Sequence, residues 1–381
     1  MQRNLTDPWW LGKRDELLAI AEQTQNAYVY DLDTVDAAAK KILSLKSVSR
    51  VLYAVKANFN PDVIRTLAKA GADFDCVSPG EVEHICNVLP EIDKSRILFT
   101  PNFAPRSEYE WGISEGIQIT LDNLYPLQAW PELFAGQDLM IRMDPGEGQG
   151  HHEHVKTAGT QSKFGVSRLE IDELVELVRA TGARVVGIHA HSGSGILDPE
   201  NWRNVAGQLV RVAERFPEVR ILDLGGGIGV PENRDDAEFD LQALDEMLLA
   251  FCADYPKYDL WLEPGRYLVS PAGVLLTHVT QVKNKGDMRY VGVSTGLNSL
   301  IRPALYGAYH EIVNLSQIDN ESSHEVSVVG PICETGDRFG SDRMLPPSQE
   351  NDVILIATAG AYGQVMSSRY NLRDIPPEIT I

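Results

Sequence analysis

From about residue 50 the chain alternates short, almost continuously apolar runs with amphipathic stretches, and few architectures accept that grammar. The runs Val51–Val55, Asp73–Val77, Ile97–Thr100, Gln118–Leu121, Asp138–Met143, Arg184–His189, Arg220–Leu224 and Asp259–Glu263 read as buried strands. Helical patterns lie between them, at Asp62–Ala70, Gly80–Val88, Arg168–Ala180, Pro199–Phe216 and Leu241–Cys252. Buried strands alternating with helices make a parallel sheet covered by helices. Eight candidate strands predict an α/β chain with a (β/α)8 barrel, an open doubly wound sheet being the alternative. After Ser270 helical periodicity fades, and Gly273–Lys283, Arg289–Ser294, Glu325–Val329 and Asp352–Thr358 are strand-like. The expected organisation is a barrel over 35–270 and a β-rich domain over 271–381. Residues 1–34, with strand-like Ala27–Tyr30, are expected to join the β domain.

Charge and cysteine usage narrow the partners. Of 381 residues, 34 are basic and 54 acidic, a net −20, so a nucleic-acid phosphate backbone would be repelled. No apolar run is long enough to span a bilayer, so no membrane partner is expected. Four cysteines without a C-x-x-C pair fit a reducing compartment. Met1–Arg14 carries charges around Trp9 and Trp10 and no signal-like run, so a cytoplasmic protein is expected.

In a barrel, functional residues gather at the carboxyl ends of strands. The first strand ends in Tyr-Ala-Val-Lys-Ala-Asn (53–58), which puts Lys56 at the mouth. A lysine there suits Schiff-base chemistry, though a lysine snorkelling past the rim would look the same. The sixth ends in His-Ala-His-Ser-Gly-Ser-Gly (189–195). Zinc on His189 and His191 lacks a third ligand, so a stacking or packed histidine is the better reading. The seventh ends in Asp-Leu-Gly-Gly-Gly-Ile-Gly (223–229), either an anion nest or a tight turn. The eighth ends in Glu-Pro-Gly-Arg (263–266), where Glu263 could pair with a cationic ring nitrogen or with a surface partner. Lysine, nest, stacking ring and carboxylate together match pyridoxal phosphate: aldehyde, phosphate, flat ring and basic nitrogen. The loop His151-His152-Glu153-His154 invites a metal, but adjacent histidines in a Gly-rich loop rarely converge on one ion, and none is expected.

These motifs resemble the fold-type III pyridoxal-phosphate decarboxylases. Three later ones are similar to diaminopimelate decarboxylases, above all to the decarboxylase domain that some bacteria carry fused to aspartate kinase. They are Arg-Pro-Ala-Leu-Tyr-Gly-Ala-Tyr-His (302–310), Gly-Pro-Ile-Cys-Glu-Thr-Gly-Asp (330–337) and Ala-Gly-Ala-Tyr-Gly (359–363). The resemblance implies pyridoxal 5'-phosphate held by Lys56, with Asp75 in the cofactor set, His191 stacked on its ring and Glu263 on its nitrogen. It implies a phosphate cradle of Ser194, Gly226, Gly227, Gly265, Arg266 and Tyr362. It assigns Arg266, Arg302, Tyr306 and Tyr362 to the substrate. It implies a homodimer in which the partner chain supplies Cys333 as proton donor and Glu334 for the distal amine. The implied reaction is decarboxylation of meso-diaminopimelate to L-lysine. Alternatives are another diamino acid such as D-lysine or D-ornithine, a siderophore intermediate, a racemase, or a non-enzymatic cofactor-binding protein. Two departures from the family stand out: Ser294-Thr295 before Gly-Leu-Asn, and a compact Phe339–Gln349 connection.

Overall fold

A computed structural model describes residues 8–146, 149–150, 162–232 and 236–381. The chain divides into two compact units, one of 36–230 with 238–267, the other of 1–35, 231–237 and 268–381. The loop carrying His151, His152, Glu153 and His154 lies outside the described residues.

The apolar runs become β2 (Val48–Ala54), β3 (Asp73–Cys76), β4 (Ile97–Phe99), β5 (Gln118–Leu121), β6 (Asp138–Arg142), β7 (Arg184–His189), β8 (Ile221–Asp223) and β9 (Asp259–Leu262). All pair in parallel, and β9 returns to β2 through Leu262 and Val51. That pairing closes the barrel and excludes the open sheet. Leu52, Leu98 and Met140 come from alternate strands and pack with Trp261 and Ile221, so the interior is a filled core. Local signals set the helices. Asn60 caps Pro61–Ala70 by accepting the Asp62 and Val63 N–H groups, and Gly71 ends that helix at φ +109°. Ser78 caps Pro79–Val88 by accepting the Glu81 N–H. Helices also form at Leu32–Leu43 and Arg106–Ser114.

The second unit is a sheet of β1 (Ala27–Tyr30), β10 (Gly273–Lys285), β11 (Met288–Val293), β12 (Ile312–Asn314), β13 (His324–Val329), β14 (Arg338–Leu345), β15 (Val353–Ile356) and β16 (Glu378–Thr380). Its order is β12-β15-β10-β11-β13-β14. β1 lies between β10, antiparallel, and β16, parallel. Trp10, Leu17, Val29, Val274, Leu276 and Leu355 form its core. The Phe339–Gln349 connection is corrected: most of it is strand β14, antiparallel to β13. Register shifts in that pairing, and Asp342 at φ +54°, break the alternation by which a strand is recognised. Ser294 has a structural use, since its hydroxyl donates to Asn26 Oδ1 at 2.5 Å and lies 3.1 Å from Thr277 Oγ1.

Candidate active site

The barrel strands deliver their polar residues at one rim, because in a parallel barrel every strand ends on the same side. Lys56 follows β2 in a single 3-10 turn, Val55–Ala57. Its side chain is 45% exposed, with Nζ 3.2 Å from Asp75 Oδ2, so Lys56 is ion-paired at the rim. Asp75 is buried on β3 and accepts from Thr100 Oγ1 at 2.5 Å. Burial raises its pKa, and the Lys56 charge opposes the rise.

The three strands that lead round to β2, namely β7, β8 and β9, bring His189, Asp223 and Glu263 together at their ends. One donor atom of each lies within 4.8 Å of the others. His189 Nε2 is 3.0 Å from Glu263 Oε2, and both side chains are more than nine-tenths buried. Glu263 is therefore no surface ion pair. The zinc reading is also revised: His189 has Asp223 and Glu263 beside it, while His191 turns to the glycine run. Burial works against the Glu263 charge, but His189 and Lys56 hold its carboxyl below the usual range. Burial, and then the Glu263 charge, push Asp223 well above it. The opposite shifts favour the negative charge on Glu263 over Asp223. Glu263 Oε1 is buried and no N–H or hydroxyl among the described residues donates to it, while the carboxylate shares a side-chain hydrogen bond with Asp223. A protonated ring nitrogen would be a charged donor to this carboxylate.

The glycine run is shaped by close approach. A Cβ on Gly226 would lie 2.2 Å from the Glu263 carbonyl oxygen, and one on Gly227 would lie 2.4 Å from that of Gly193. Gly227 also has φ +99°. The nest is narrower than the sequence suggests, because the Gly226 N–H donates to His191 Nδ1 at 3.2 Å and the Gly229 N–H to the Ile196 carbonyl at 2.9 Å. Burial, with the Arg142 and Lys56 charges, pushes His191 down to about 3, so its ring is neutral at pH 7. Arg266 Nη2 donates to Ser194 Oγ at 3.0 Å, joining a cation and a hydroxyl next to Gly265. A cation, a hydroxyl and side-chain-free backbone form a donor set that suits a phosphate. With the Glu263 oxygen, the rim fits pyridoxal phosphate.

Arg302, Tyr306, Cys333, Glu334 and Tyr362 lie in the second unit. Arg302 is 5% exposed and opens the helix Arg302–Tyr306, which places Tyr306 one turn further on. Cys333 is exposed, which removes the reading of a merely buried cysteine. Its N–H donates to Asn371 Oδ1 at 2.8 Å, and Tyr370 Oη donates to Glu334 Oε1 at 2.5 Å. Below them, the buried Asp337 carboxylate accepts the Ile332 and Leu297 N–H groups, each at 2.6 Å, and so shapes the turn. Tyr362 has φ +55°, a strained conformation for a tyrosine. Sequence reasoning gave no role to Asp223, Thr100 or Arg142. An Asp placed in an apolar strand just before three glycines was the signal available for Asp223.

A family model described as "Pyridoxal-dependent decarboxylase, pyridoxal binding domain" matches residues 32–270. The diaminopimelate decarboxylase of Methanothermobacter thermautotrophicus is 38% identical over 87% of this chain and 80% of its own. That of Escherichia coli K12 is 31% identical over 92% and 87%. Among solved structures, a diaminopimelate decarboxylase superimposes with a TM-score of 0.89 at 30% identity, covering 97% of this chain and 91% of that one. The Helicobacter pylori diaminopimelate decarboxylase, complexed with L-lysine, gives 0.87 at 28% identity, covering 96% and 93%.

Proposed function

We propose a reaction from the premise that this chain belongs to the pyridoxal-dependent decarboxylases, among the diaminopimelate decarboxylases: it removes CO2 from meso-2,6-diaminopimelate to give L-lysine. The observation that carries the cofactor assignment is the buried, ionised Glu263, held beside His189 and Asp223 at the same rim as Lys56. Pyridoxal phosphate, when bound, supplies the electron sink for the carbon–carbon bond that breaks.

The chain's own residues do the rest. Lys56 would hold the cofactor through its amine, which Asp75 keeps in place at 3.2 Å. Glu263, its charge fixed by His189 and the proton on Asp223, retains a proton on the ring nitrogen. Neutral His191 packs flat on the ring without adding a competing charge. Ser194, Gly226, Gly227, Gly265, Arg266 and Tyr362 hold the phosphate. Arg266, Arg302, Tyr306 and Tyr362 bind the carboxylate that stays, so the other one leaves. Cys333 gives the proton that replaces the departing carboxylate, and Glu334 pairs with the distal amine. Both come from a second copy of the chain, a reading supported by their exposure in the single chain. The free state of all four cysteines supports a cytoplasmic setting.

Purified protein with pyridoxal phosphate should release CO2 and L-lysine from meso-diaminopimelate, and little from L-ornithine or D-lysine. Arg302→Ala should lower kcat/KM for diaminopimelate by roughly ten- to a hundred-fold, the value of a charge-assisted hydrogen bond in a closed site. Any weak activity on lysine should change far less. An equal fall on both substrates would make Arg302 structural, and a wild-type preference for a substrate with one carboxylate would overturn the assignment.

Mixing inactive Lys56→Ala with inactive Cys333→Ala tests the shared site. Exchanged dimers should hold one intact site and recover up to about a quarter of wild-type activity, since half the dimers are mixed with one working site of two. No recovery after demonstrated exchange would mean that each chain completes its own site.

A further inference from the structure

The motif that begins with Arg302 ends in a histidine that no step of this reaction uses. His310 is wholly buried. Gly307, at φ +63°, stops the short helix and turns the chain back, so that His310 returns to the side of Arg302. Its Nε2 lies 3.0 Å from Arg302 Nη1. Its Nδ1 lies 2.8 Å from the Ala357 carbonyl oxygen, with Thr358 Oγ1 at 3.3 Å.

These contacts decide the ring's protonation without reference to any titration. A carbonyl oxygen can only accept, so Nδ1 carries a proton; a guanidinium can only donate, so Nε2 presents its lone pair. The opposite tautomer would set a lone pair against the carbonyl and an N–H against Arg302. A doubly protonated ring would bring two cations into contact. The anchor is rigid. Ala357 follows the buried strand β15, and its N–H donates to the Glu311 carbonyl at 2.9 Å, so residues 310 and 311 both fasten to it. β12 then continues the pairing through Ile312 and Ile356.

We propose that His310 is a positioning residue, held as the neutral Nδ1–H tautomer between the Ala357 carbonyl and Arg302, and that it sets the rotation of the Arg302 guanidinium for a dicarboxylic substrate. It rests on the reading of Arg302 as the group that binds the retained carboxylate. A guanidinium is a planar fork, so two parallel hydrogen bonds to a carboxylate form only when its plane is correctly turned. A histidine that grips one nitrogen at a fixed angle supplies that orientation before substrate arrives. Glu232, whose Oε1 is 4.0 Å from Arg302 Nη2, is too distant to fix the plane by hydrogen bonding.

The test uses the holoenzyme and two variants. His310→Phe keeps the ring volume and removes both contacts, while His310→Gln keeps an acceptor for Arg302. His310→Phe should raise KM for meso-diaminopimelate about tenfold, with kcat changed less than about threefold, and His310→Gln should raise KM by about threefold. Affinity for L-lysine, the product, should fall in parallel, because its one carboxylate is the one that stays. Affinity for D-lysine, whose one carboxylate sits at the reacting centre, should stay within about twofold in both. In an Arg302→Ala background, His310→Phe should add no further rise, because the two residues act as one unit. With 15N-histidine labelling of the nine histidines, a ring with the neutral Nδ1–H pattern near pH 7 should be present and vanish in both variants. The proposal is overturned by an unchanged KM, by a matching loss of D-lysine affinity, or by an Nε2–H or charged ring. The NMR measurement needs no turnover, so it judges His310 even if wild-type protein fails to decarboxylate diaminopimelate, a failure that would fall on the proposed function instead.

Discussion

Lys56→Ala should lower kcat by roughly 10⁴-fold or more, the scale seen when the covalent residue of an active site is removed. Borohydride should fix the cofactor to the peptide holding Lys56 in wild-type protein and leave it extractable from the variant. Lys56→Arg separates the amine's chemistry from its charge. Arginine can still pair with Asp75, 3.2 Å from the Lys56 amine, but stays protonated and cannot attack a carbonyl. It should be as inactive as the alanine variant while binding cofactor more tightly. If Lys56→Arg keeps substantial activity, Lys56 is only an ion-pair partner and the covalent assignment fails.

Glu263→Gln should reduce kcat by about 10²–10³-fold, the usual effect of removing one aimed electrostatic group from a closed site. Glutamine fits the space but brings no charge to a ring nitrogen. The neighbours make a second measurement informative. The Glu263 charge helps to keep the proton on Asp223, so removing it makes Asp223 more acidic. Asp223 can then supply part of the missing charge, and Glu263→Gln with Asp223→Asn should be slower than the single variant by a further tenfold or so. A single variant within tenfold of wild type would show that the carboxylate does not govern the cofactor's electronics. An unchanged double variant would show that Asp223 offers no substitute.

The barrel was legible because buried parallel strands write themselves as apolar runs, and Lys56 and Glu263 stood out as polar residues closing such runs. What could not be read was the pairing of polar groups across strands. His189, Asp223 and Glu263 come from three adjacent strands whose registers place them together only once the barrel is built. Their opposite protonation states depend on shared burial, which one-dimensional spacing does not encode. The β unit was less legible for local reasons. β14 is interrupted by register shifts and a left-handed Asp342, and β16 is three residues behind a proline pair. His310 sat in a recognised motif, yet its contact with Arg302 exists because Gly307 reverses the chain between them.

β1 has a consequence for how the protein is made. Its four residues are fully buried, and its two neighbours in the sheet are residues 273–276 and 378–380. Translation delivers β1 early, whereas both neighbours are synthesised only after the whole barrel sequence. For that interval Ala27–Tyr30 is an unpaired apolar strand with both edges open, the kind of segment that recruits other chains. The sheet around β1 is completed only when residues 378–380 clear the exit tunnel. The barrel, by contrast, is closed by partners that all lie between residues 48 and 262 and can form before synthesis ends. Nascent-chain arrest with the barrel sequence outside the ribosome and residues 378–380 not yet made should therefore find a protease-resistant barrel and a protease-sensitive β1.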